Sequence, residues 1–236
     1  MNTRNRVMVI TGTRKGIGRY LAEYYLQKGM TVCGCSRGDS DLVDTRYHHY
    51  NVDVAEEKSV IAMIKDIAKR ENRIDYMINN AGIAAMNHSF LTPLSVVEGI
   101  FKTNVFGTFL FCREAGRVMS KNKSGRIVNF ATIATPIKLE GECVYAASKA
   151  AVENLTKVLA REFAPFSVTV NAVGPTPIYT DLIKNVPQEK MDALLRLQAI
   201  HRFGTFEDVS NAIDFFLADS SDFITGQVVY LGGVSS

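Results

Sequence analysis

The sequence predicts an α/β domain in which helices cover both faces of a parallel sheet. Three observations predict it: strands and helices alternate along the chain, the strands are apolar on both faces, and a glycine-rich turn separates the first strand from the first helix. Repeated βα units with right-handed crossovers give a doubly wound, Rossmann-type sheet of about seven strands. The chain has 236 residues and no linker, repeat or low-complexity segment, so we expect a single domain over 1–236.

The elements follow one another in a regular order. Short apolar runs bounded by turn residues predict strands at 6–11, 31–36, 50–54, 74–80, 125–132, 168–173 and 227–232. Helical spacing of apolar residues predicts helices between 11 and 31 and at about 56–71, 93–120, 143–164 and 207–218, the third interrupted near Asn104 to Gly107. The stretch 174–190 has three prolines and no clear core pattern, which predicts a substrate lid at about 174–200.

Composition and charge narrow the class of protein. The net charge of +3 is too small to favour a nucleic-acid partner. We expect no membrane partner and a cytoplasmic location, because no apolar run reaches the length of a membrane span and no signal-peptide core follows the N-terminus. The cysteines make no CxxC pair and are predicted to be small core residues in a reducing compartment. They are Cys33, Cys35, Cys112 and Cys143.

The histidines show no metal-site spacing, so we expect no metal. They are His48, His49, His88 and His201. Surface positions are the default interpretation, with His88 a possible substrate contact. Cys143, two residues before Tyr145, is a second residue that could face the pocket.

The turn "TGTRKGIG" (11–18) predicts a phosphate site. Gly12, Gly16 and Gly18 have the spacing GxxxGxG, which lets the backbone approach a pyrophosphate whose charge meets the N-terminus of the next helix. The same turn carries two cations and the first apolar residue of the helix, which are Arg14, Lys15 and Ile17. A tight turn without a ligand is the alternative.

The end of the second strand bears on the choice of nucleotide. An enzyme that uses NAD usually has an acid there, whereas this chain has Ser36 and Arg37. Arg37, together with Lys15, would offer positive charge to a 2′-phosphate, which favours NADP(H). Asp39 and Asp41 follow closely and leave NAD(H) open. After the third strand, Asp53 and the neighbouring Val54 are placed to contact adenine, although Asp53 could instead be a loop or N-cap acid.

The segment "YAASK" (145–149) carries the chemistry. A spacing of four puts Tyr145 and Lys149 on one face of a helix. We expect the ammonium to stabilise the phenolate and lower the pKa of Tyr145 toward neutral pH, where the phenol could act as an acid or base. Taken alone, such a pair is most often a chance arrangement on a surface.

Five motifs together resemble the short-chain dehydrogenase/reductase family. They are "TGTRKGIG" (11–18), "NNAG" (79–82), "KTNVFG" (102–107), "YAASK" (145–149) and "NAVGPTPIYTDL" (171–182), in the family's order. The C-terminal stretch 201–233 resembles the 3-oxoacyl-carrier-protein reductase branch. The resemblance covers essentially the whole chain.

The resemblance implies a role for each matching residue. Tyr145 would be the general acid, Lys149 would lower its pKa and bind the nicotinamide ribose, and Asn104 would hold a water in a proton relay. Within "NNAG", the residues beside the adenosine ribose would be Asn80, Ala81 and Gly82. Those that hold the nicotinamide would be Pro175, Ile178 and Thr180.

Two positions depart from the family pattern. Thr132 stands where the family has serine, thirteen residues before the tyrosine; it keeps a hydroxyl that can orient a substrate, but its methyl narrows the pocket. Thr176 stands where glycine is common and is followed by Pro177, which could stiffen the start of the lid.

These observations predict an NADP(H)-dependent oxidoreductase that interconverts a carbonyl and a secondary alcohol. An apolar rim weakly favours a lipophilic ketone or a 3-oxoacyl group; its residues are Met86, Leu139, Leu182, Met191 and Leu194. The alternatives are an NAD-linked dehydrogenase of a sugar, steroid or biosynthetic intermediate, and a non-catalytic cofactor-binding regulator. The resemblance also implies a homotetramer or homodimer assembled through the helices near 93–120 and 143–164 and the C-terminal region.

Overall fold

Seven parallel strands form one sheet in the order β3-β2-β1-β4-β5-β6-β7. The computed structural model describes residues 6–180, 186 and 188–234. The strands are β1 Val7–Thr11, β2 Thr31–Ser36, β3 Tyr47–Asn51, β4 Tyr76–Asn79, β5 Gly125–Phe130, β6 Val168–Gly174 and β7 Val228–Tyr230. The strand order reverses between β1 and β4, which opens a crevice at their carboxyl ends, and the predicted fold class is confirmed.

Helices cover both faces of this sheet. In chain order they are α1 Gly16–Gln27, α2 Glu57–Glu71, α3 Leu94–Phe101, α4 Thr108–Asn122, α5 Ala134–Ile137, α6 Cys143–Phe163, α7 Gln188–Arg196 and α8 Phe206–Leu217. Two core layers result. In β1, Val7 and Val9 pack toward α2, α4 and α6, whereas Met8 and Ile10 pack toward α1 and α8. Strands buried on both faces explain the continuous apolar runs in the sequence.

The third strand lies earlier than predicted. It is the polar run "YHHYN" (47–51), and Val52 and Val54 belong to the turn that follows it. β3 is an edge strand paired only with β2, so its outer positions need not be apolar. The apolar residues are buried because the turn folds back over the core. Two helices, α5 and α7, were not predicted; α7 lies within the predicted lid, whose residues 181–185 and 187 lie outside the described residues.

A π-helical stretch, Lys102–Gly107, joins α3 to α4 at the predicted interruption. A Cβ at Gly107 would lie 2.7 Å from Val54 Cγ2, so the helix approaches the turn after β3 only with glycine there. The run Leu94–Asn122 is, by length and composition, long enough to cross a membrane, contrary to the sequence-based expectation, and 33% of its most apolar window is buried in the protein. Core helices of globular proteins pass the same test, so the finding is weak evidence for a membrane span.

Three of the cysteines belong to the core as predicted. Cys33, Cys35 and Cys112 are buried, and burial raises the pKa of each thiol to about 12. The prediction was wrong for Cys143, which is exposed at the start of α6. The described residues contain no group of three His, Cys, Asp or Glu that could hold a metal.

Candidate active site

A cavity of about 840 Å³ lies at the carboxyl ends of the strands. Apart from Gly18 and Asn104, every predicted site residue lines it. These are Gly12, Arg14, Lys15, Gly16, Ile17, Ser36, Arg37, Asp53, Val54, Asn80, Ala81, Gly82, Thr132, Tyr145, Lys149, Pro175, Ile178 and Thr180. The topology therefore brings five separated motifs to one place.

The glycine turn leaves the N-terminus of α1 open. Gly12 and Gly16 adopt left-handed backbone angles, with φ of 78° and 59°. A Cβ at Gly18 would overlap the carbonyl oxygen of Gly12, so Gly18 serves the packing of α1 on the turn and does not line the cavity. Lys15 is the N-cap residue of α1 and makes no side-chain capping bond, so the first N–H groups of the helix remain available to an anion.

The "NNAG" segment holds this turn against β4. Asn80 Nδ2 donates to the carbonyl oxygen of Thr11 at 2.9 Å and to that of Gly12 at 3.4 Å. The backbone N–H of Ala81 donates to Thr11 Oγ1 at 2.9 Å. These bonds fix the turn relative to the sheet.

Positive charge gathers at the end of β2. Arg37 lines the cavity there, and a Cβ at Gly38 would lie 2.9 Å from Arg14 Nη1, which shows that the Arg14 guanidinium rests against the same loop. Neither arginine has a carboxylate partner in the part of the chain that the structure describes. The loop therefore offers two uncompensated cations to a ligand.

The two carboxylates that could have reached a ribose are engaged elsewhere. Asp41 pairs with Arg19 of α1. Asp39 accepts a hydrogen bond from Asn51 Nδ2 at 2.6 Å. Neither aspartate lines the cavity. In this structure each of the two acids therefore has a partner within the protein.

His49 supports the loop after β2, a role that sequence reasoning missed. Its Nε2 lies 2.9 Å from the carbonyl oxygen of Gly38 and 3.1 Å from Ser36 Oγ. Its Nδ1 lies 2.8 Å from the Tyr47 hydroxyl, which lies 2.9 Å from Thr13 Oγ1 in the glycine turn. The alternation of "YHHYN" would have pointed to this inward position if the strand had been placed correctly.

Asp53 acts as a loop acid in this structure, and its contact with adenine stays a prediction. It is exposed and lines the cavity, and its Oδ1 accepts a hydrogen bond from the backbone N–H of Ala55 at 3.0 Å. The carboxylate therefore closes the turn ahead of α2 while lying at the adenine end of the cavity.

Tyr145, Thr132 and Lys149 meet at the far end of the cavity. The Thr132 side chain lies close enough to the Tyr145 hydroxyl to lower the pKa of that phenol. Lys149 Nζ donates to the carbonyl oxygen of Phe130 at 2.8 Å and lies 5.9 Å from the centroid of the Tyr145 ring. A Cβ at Gly82 would lie 3.6 Å from that Nζ, so the glycine keeps space beside the ammonium.

The electrostatics of this pair differ from the sequence-based expectation. Burial raises the pKa of Tyr145 to about 12, the nearby Glu142 adds to the rise, and the hydrogen bond with Thr132 opposes it. Burial lowers the pKa of Lys149 to about 8, opposed by the charge of Glu153. The prediction that the pKa of Tyr145 is lowered toward neutral pH was wrong: burial is the largest influence on this pKa, and Lys149 is not among the groups that shift it.

Asn104 does not line the cavity. Its Oδ1 accepts from the backbone N–H of Ile83 at 2.9 Å, and its Nδ2 donates to the carbonyl oxygen of Ile83 at 2.9 Å and to Ser148 Oγ at 3.0 Å. The side chain clamps the "NNAG" loop to α6, behind Lys149. Its role in a proton relay stays a prediction.

Some of the remaining candidates for the substrate pocket line the cavity and others do not. Met86 and Leu139 line the cavity, as do Met191 and Leu194 of α7, while Leu182 lies outside the described residues. His88 is exposed and accepts from the backbone N–H of Phe90, and neither it nor Cys143 lines the cavity. Glu142 does line it and was missed. Its position three residues before Tyr145, on the same helical face, was the available signal.

This geometry defines a dinucleotide-binding oxidoreductase site. A family model described as enoyl-(acyl carrier protein) reductase matches residues 12–235. The NAD-dependent glycerol dehydrogenase of Listeria innocua is 31% identical over 98% of this chain and 94% of its own, and the 3-oxoacyl-[acyl-carrier-protein] reductase FabG of Vibrio cholerae is 30% identical over 99% and 98%.

Solved structures are also similar. Ligand-free aldohexose dehydrogenase of Thermoplasma acidophilum has a TM-score of 0.89 at 29% identity, covering 98% of this chain and 94% of its own. ElxO with NADP bound has a TM-score of 0.88 at 30% identity, covering 96% of each chain. The chain belongs to the short-chain dehydrogenase/reductase family. It is an NAD(P)-dependent oxidoreductase that acts on CH–OH and carbonyl groups.

Proposed function

We propose that the protein uses NADP(H) to interconvert a ketone and a secondary alcohol, with Tyr145 as the general acid and base. The observation that carries this proposal is the meeting of Tyr145, Thr132 and Lys149 in the same cavity as the open glycine turn. The loop after β2 supports the choice of NADP(H), which carries a 2′-phosphate. Arg37 and Arg14 have no carboxylate partner among the described residues, and Asp39 and Asp41 are bound to Asn51 and Arg19.

The residues present fit such a nucleotide. A pyrophosphate would lie against the N–H groups at the start of α1, where glycines leave the backbone exposed. Ser36 and Arg37 would hold the 2′-phosphate, and Lys149 the nicotinamide ribose. Pro175, Ile178 and Thr180 would orient the ring. When bound, the nicotinamide supplies or accepts the hydride.

The proton chemistry belongs to the chain itself. Thr132 and Tyr145 both present hydroxyls to the carbonyl oxygen of a ketone. A phenol whose pKa is raised to about 12 keeps its proton at neutral pH and is in the correct form to donate it during reduction. The phenolate that remains is stabilised by the charge of Lys149, so the ammonium form is the active one.

Substitution of Tyr145 by phenylalanine tests the central assignment. Tyr145→Phe should bind NADPH as the wild type does and lose about 10²-fold or more of the rate of ketone reduction, since general acid catalysis typically contributes 10² to 10⁴. Thr132→Val should also reduce the rate, while Thr132→Ser should keep most of it. If Tyr145→Phe retained the wild-type rate, the acid would be misassigned. If the wild type reduced no ketone, the non-catalytic alternative would be favoured.

Fluorescence titration with both nucleotides tests the nucleotide assignment. We expect NADPH to bind more tightly than NADH. We expect Arg37→Ala to lower the affinity for NADPH and to leave the affinity for NADH nearly unchanged. Tighter binding of NADH by the wild type would refute the assignment. It would instead favour the NAD-linked alternative, which the glycerol dehydrogenase relative supports.

We also propose a homotetramer or homodimer in the cytoplasm. The exposed faces of the long helices carry large apolar side chains, with Phe106 53%, Phe109 40% and Val158 45% exposed. In the C-terminal region Phe223 is 99% exposed. Large apolar side chains left exposed in this way favour burial between subunits. Light scattering that showed a monomer at working concentration would contradict the proposal.

A further inference from the structure

Glu142 places a carboxyl group in the substrate end of the cavity. It occupies the N-cap position of α6 and makes no side-chain capping bond. Its side chain lines the cavity together with Tyr145, Met86, Leu139 and Ile133. The carboxyl group is therefore committed to the cavity and not to the helix.

Among the residues that the structure describes, no protein group satisfies this carboxyl group. Within the described part of the chain it has neither a hydrogen-bond donor nor a cationic partner, and burial alone raises its pKa. The apolar neighbours cannot donate. A half-buried acceptor in a ligand cavity is satisfied by water or by a donor on the ligand, and a ligand that displaced the water without a donor would lose affinity.

We propose that Glu142 selects carbonyl substrates that carry a hydrogen-bond donor, a hydroxyl or an amine, close to the reacting carbon. This inference rests on the proposed function of Tyr145. Side chains three residues apart on a helix have Cβ atoms about 5–6 Å apart. A ketone whose oxygen meets Tyr145 therefore brings the substituents of the next one or two carbons to Glu142.

The proposal changes the expected substrate class. A 3-oxoacyl thioester presents a second carbonyl at that distance, which is an acceptor facing an acceptor. A simple lipophilic ketone presents only CH groups and leaves the carboxyl group desolvated and unpaired, which is costly. A hydroxyketone, or the corresponding diol in the reverse direction, supplies the missing donor.

Three ketones of similar size test the inference: 2-butanone, which has no donor, hydroxyacetone, which has a hydroxyl, and aminoacetone, which has an ammonium group. For the wild type we expect kcat/KM to be about tenfold to a hundredfold higher for the better of the two donor substrates than for 2-butanone, which is the range for a hydrogen bond to a charged group. A higher kcat/KM for hydroxyacetone would identify a hydroxyl as the preferred donor, and a higher kcat/KM for aminoacetone would identify an ammonium group.

Three variants test whether the substrate preference depends on the carboxyl group of Glu142 itself. Glu142→Leu should lower kcat/KM for the donor substrates only, so that their kcat/KM values lie within about threefold of the value for 2-butanone. Glu142→Gln keeps an acceptor oxygen and should retain part of a hydroxyl preference but lose an ammonium preference. Glu140→Gln removes an exposed acid two residues away and should change neither ratio. Unchanged NADPH titration in each variant shows that the fold is intact.

The outcomes are distinguishable. If the wild type turned over 2-butanone as well as the donor substrates, or if Glu142→Leu lowered all three equally, the inference about Glu142 would be overturned and the carboxyl group would be a solvated acid. If the wild type reduced none of the three and Tyr145→Phe changed no rate on any carbonyl substrate, the proposed function itself would fail and the inference with it.

Discussion

Replacing Glu153 by glutamine should move the alkaline limit of carbonyl reduction to lower pH. Glu153 follows Lys149 by one turn of α6 and is only 8% exposed. Burial lowers the pKa of Lys149 to about 8, and the carboxylate of Glu153 opposes that fall. The variant keeps the shape of the side chain and removes the charge, so the pKa of Lys149 should drop further.

The size of the shift follows from Coulomb's law. At the spacing of one helical turn, about 6 Å, and an effective dielectric constant of about 20, two unit charges interact by about 3 kcal/mol, which corresponds to about two pKa units. Burial and the nearby carboxylate of Glu153 both raise the pKa of Tyr230, so the charge of Glu153 is shared between Lys149 and this tyrosine. We therefore expect a shift of about one unit.

The assay is kcat/KM for a ketone, measured from pH 5.5 to 9.5 at saturating nucleotide. The rate should fall above about pH 8 in the wild type as Lys149 loses its proton, and above about pH 7 in Glu153→Gln. Tyr145, with a pKa of about 12, stays protonated over this range and does not contribute. Glu162→Gln, which removes an exposed acid from the same helix, should match the wild type. An unchanged or higher limit in Glu153→Gln would refute this account of Lys149.

Three further predictions concern the nucleotide end of the cavity and the fold. Gly18→Ala should weaken NADPH binding by more than tenfold, because the added methyl overlaps the carbonyl oxygen of Gly12, whereas Gly99→Ala, where nothing lies within 4 Å, should bind normally in the same titration. His49→Ala should weaken NADPH binding more than NADH binding, since it releases the loop after β2; an equal loss of both would contradict that role. Asp208→Asn should lower the thermal midpoint at pH 7, because the hydrogen bond from Arg202 lowers the pKa of Asp208 to about 2. The stability that this ionised carboxylate contributes is present above its unfolded pKa of about 4 and is lost as the pH falls toward 2. A variant that was still less stable than the wild type at pH 2 would disprove this account.

The main elements could be predicted because each carries a strong local signal. β1 and β6 are buried throughout and mostly apolar, with Thr169 and Asn171 as the polar exceptions in β6. α6 shows one buried stripe that begins in the "YAASK" motif. β3 could not be placed by the same rule. An edge strand with half-buried histidines has the composition of a loop, and only its pairing with β2 shows it to be a strand.

The site residues were predictable where spacing carries the information. Tyr145 and Lys149 four residues apart must share a helical face, and glycines after a strand must expose backbone. The pKa values were not predictable, since they depend on how deeply the pair is buried, which no spacing reports. The orientation of Asn104 was also hidden, because a π-helical stretch changes the face on which a side chain emerges.

The hydrogen bond between Asn51 and Asp39 gives the proposed preference for NADP(H) a second point of control. Asp39 follows β2, where an acid that binds an unphosphorylated ribose usually stands, yet its oxygen accepts a hydrogen bond from Asn51 of the neighbouring edge strand. On the proposed preference, a change toward NAD(H) would need two substitutions, one to remove Arg37 and one to release Asp39. Asn51, the site of the second substitution, does not itself line the cavity.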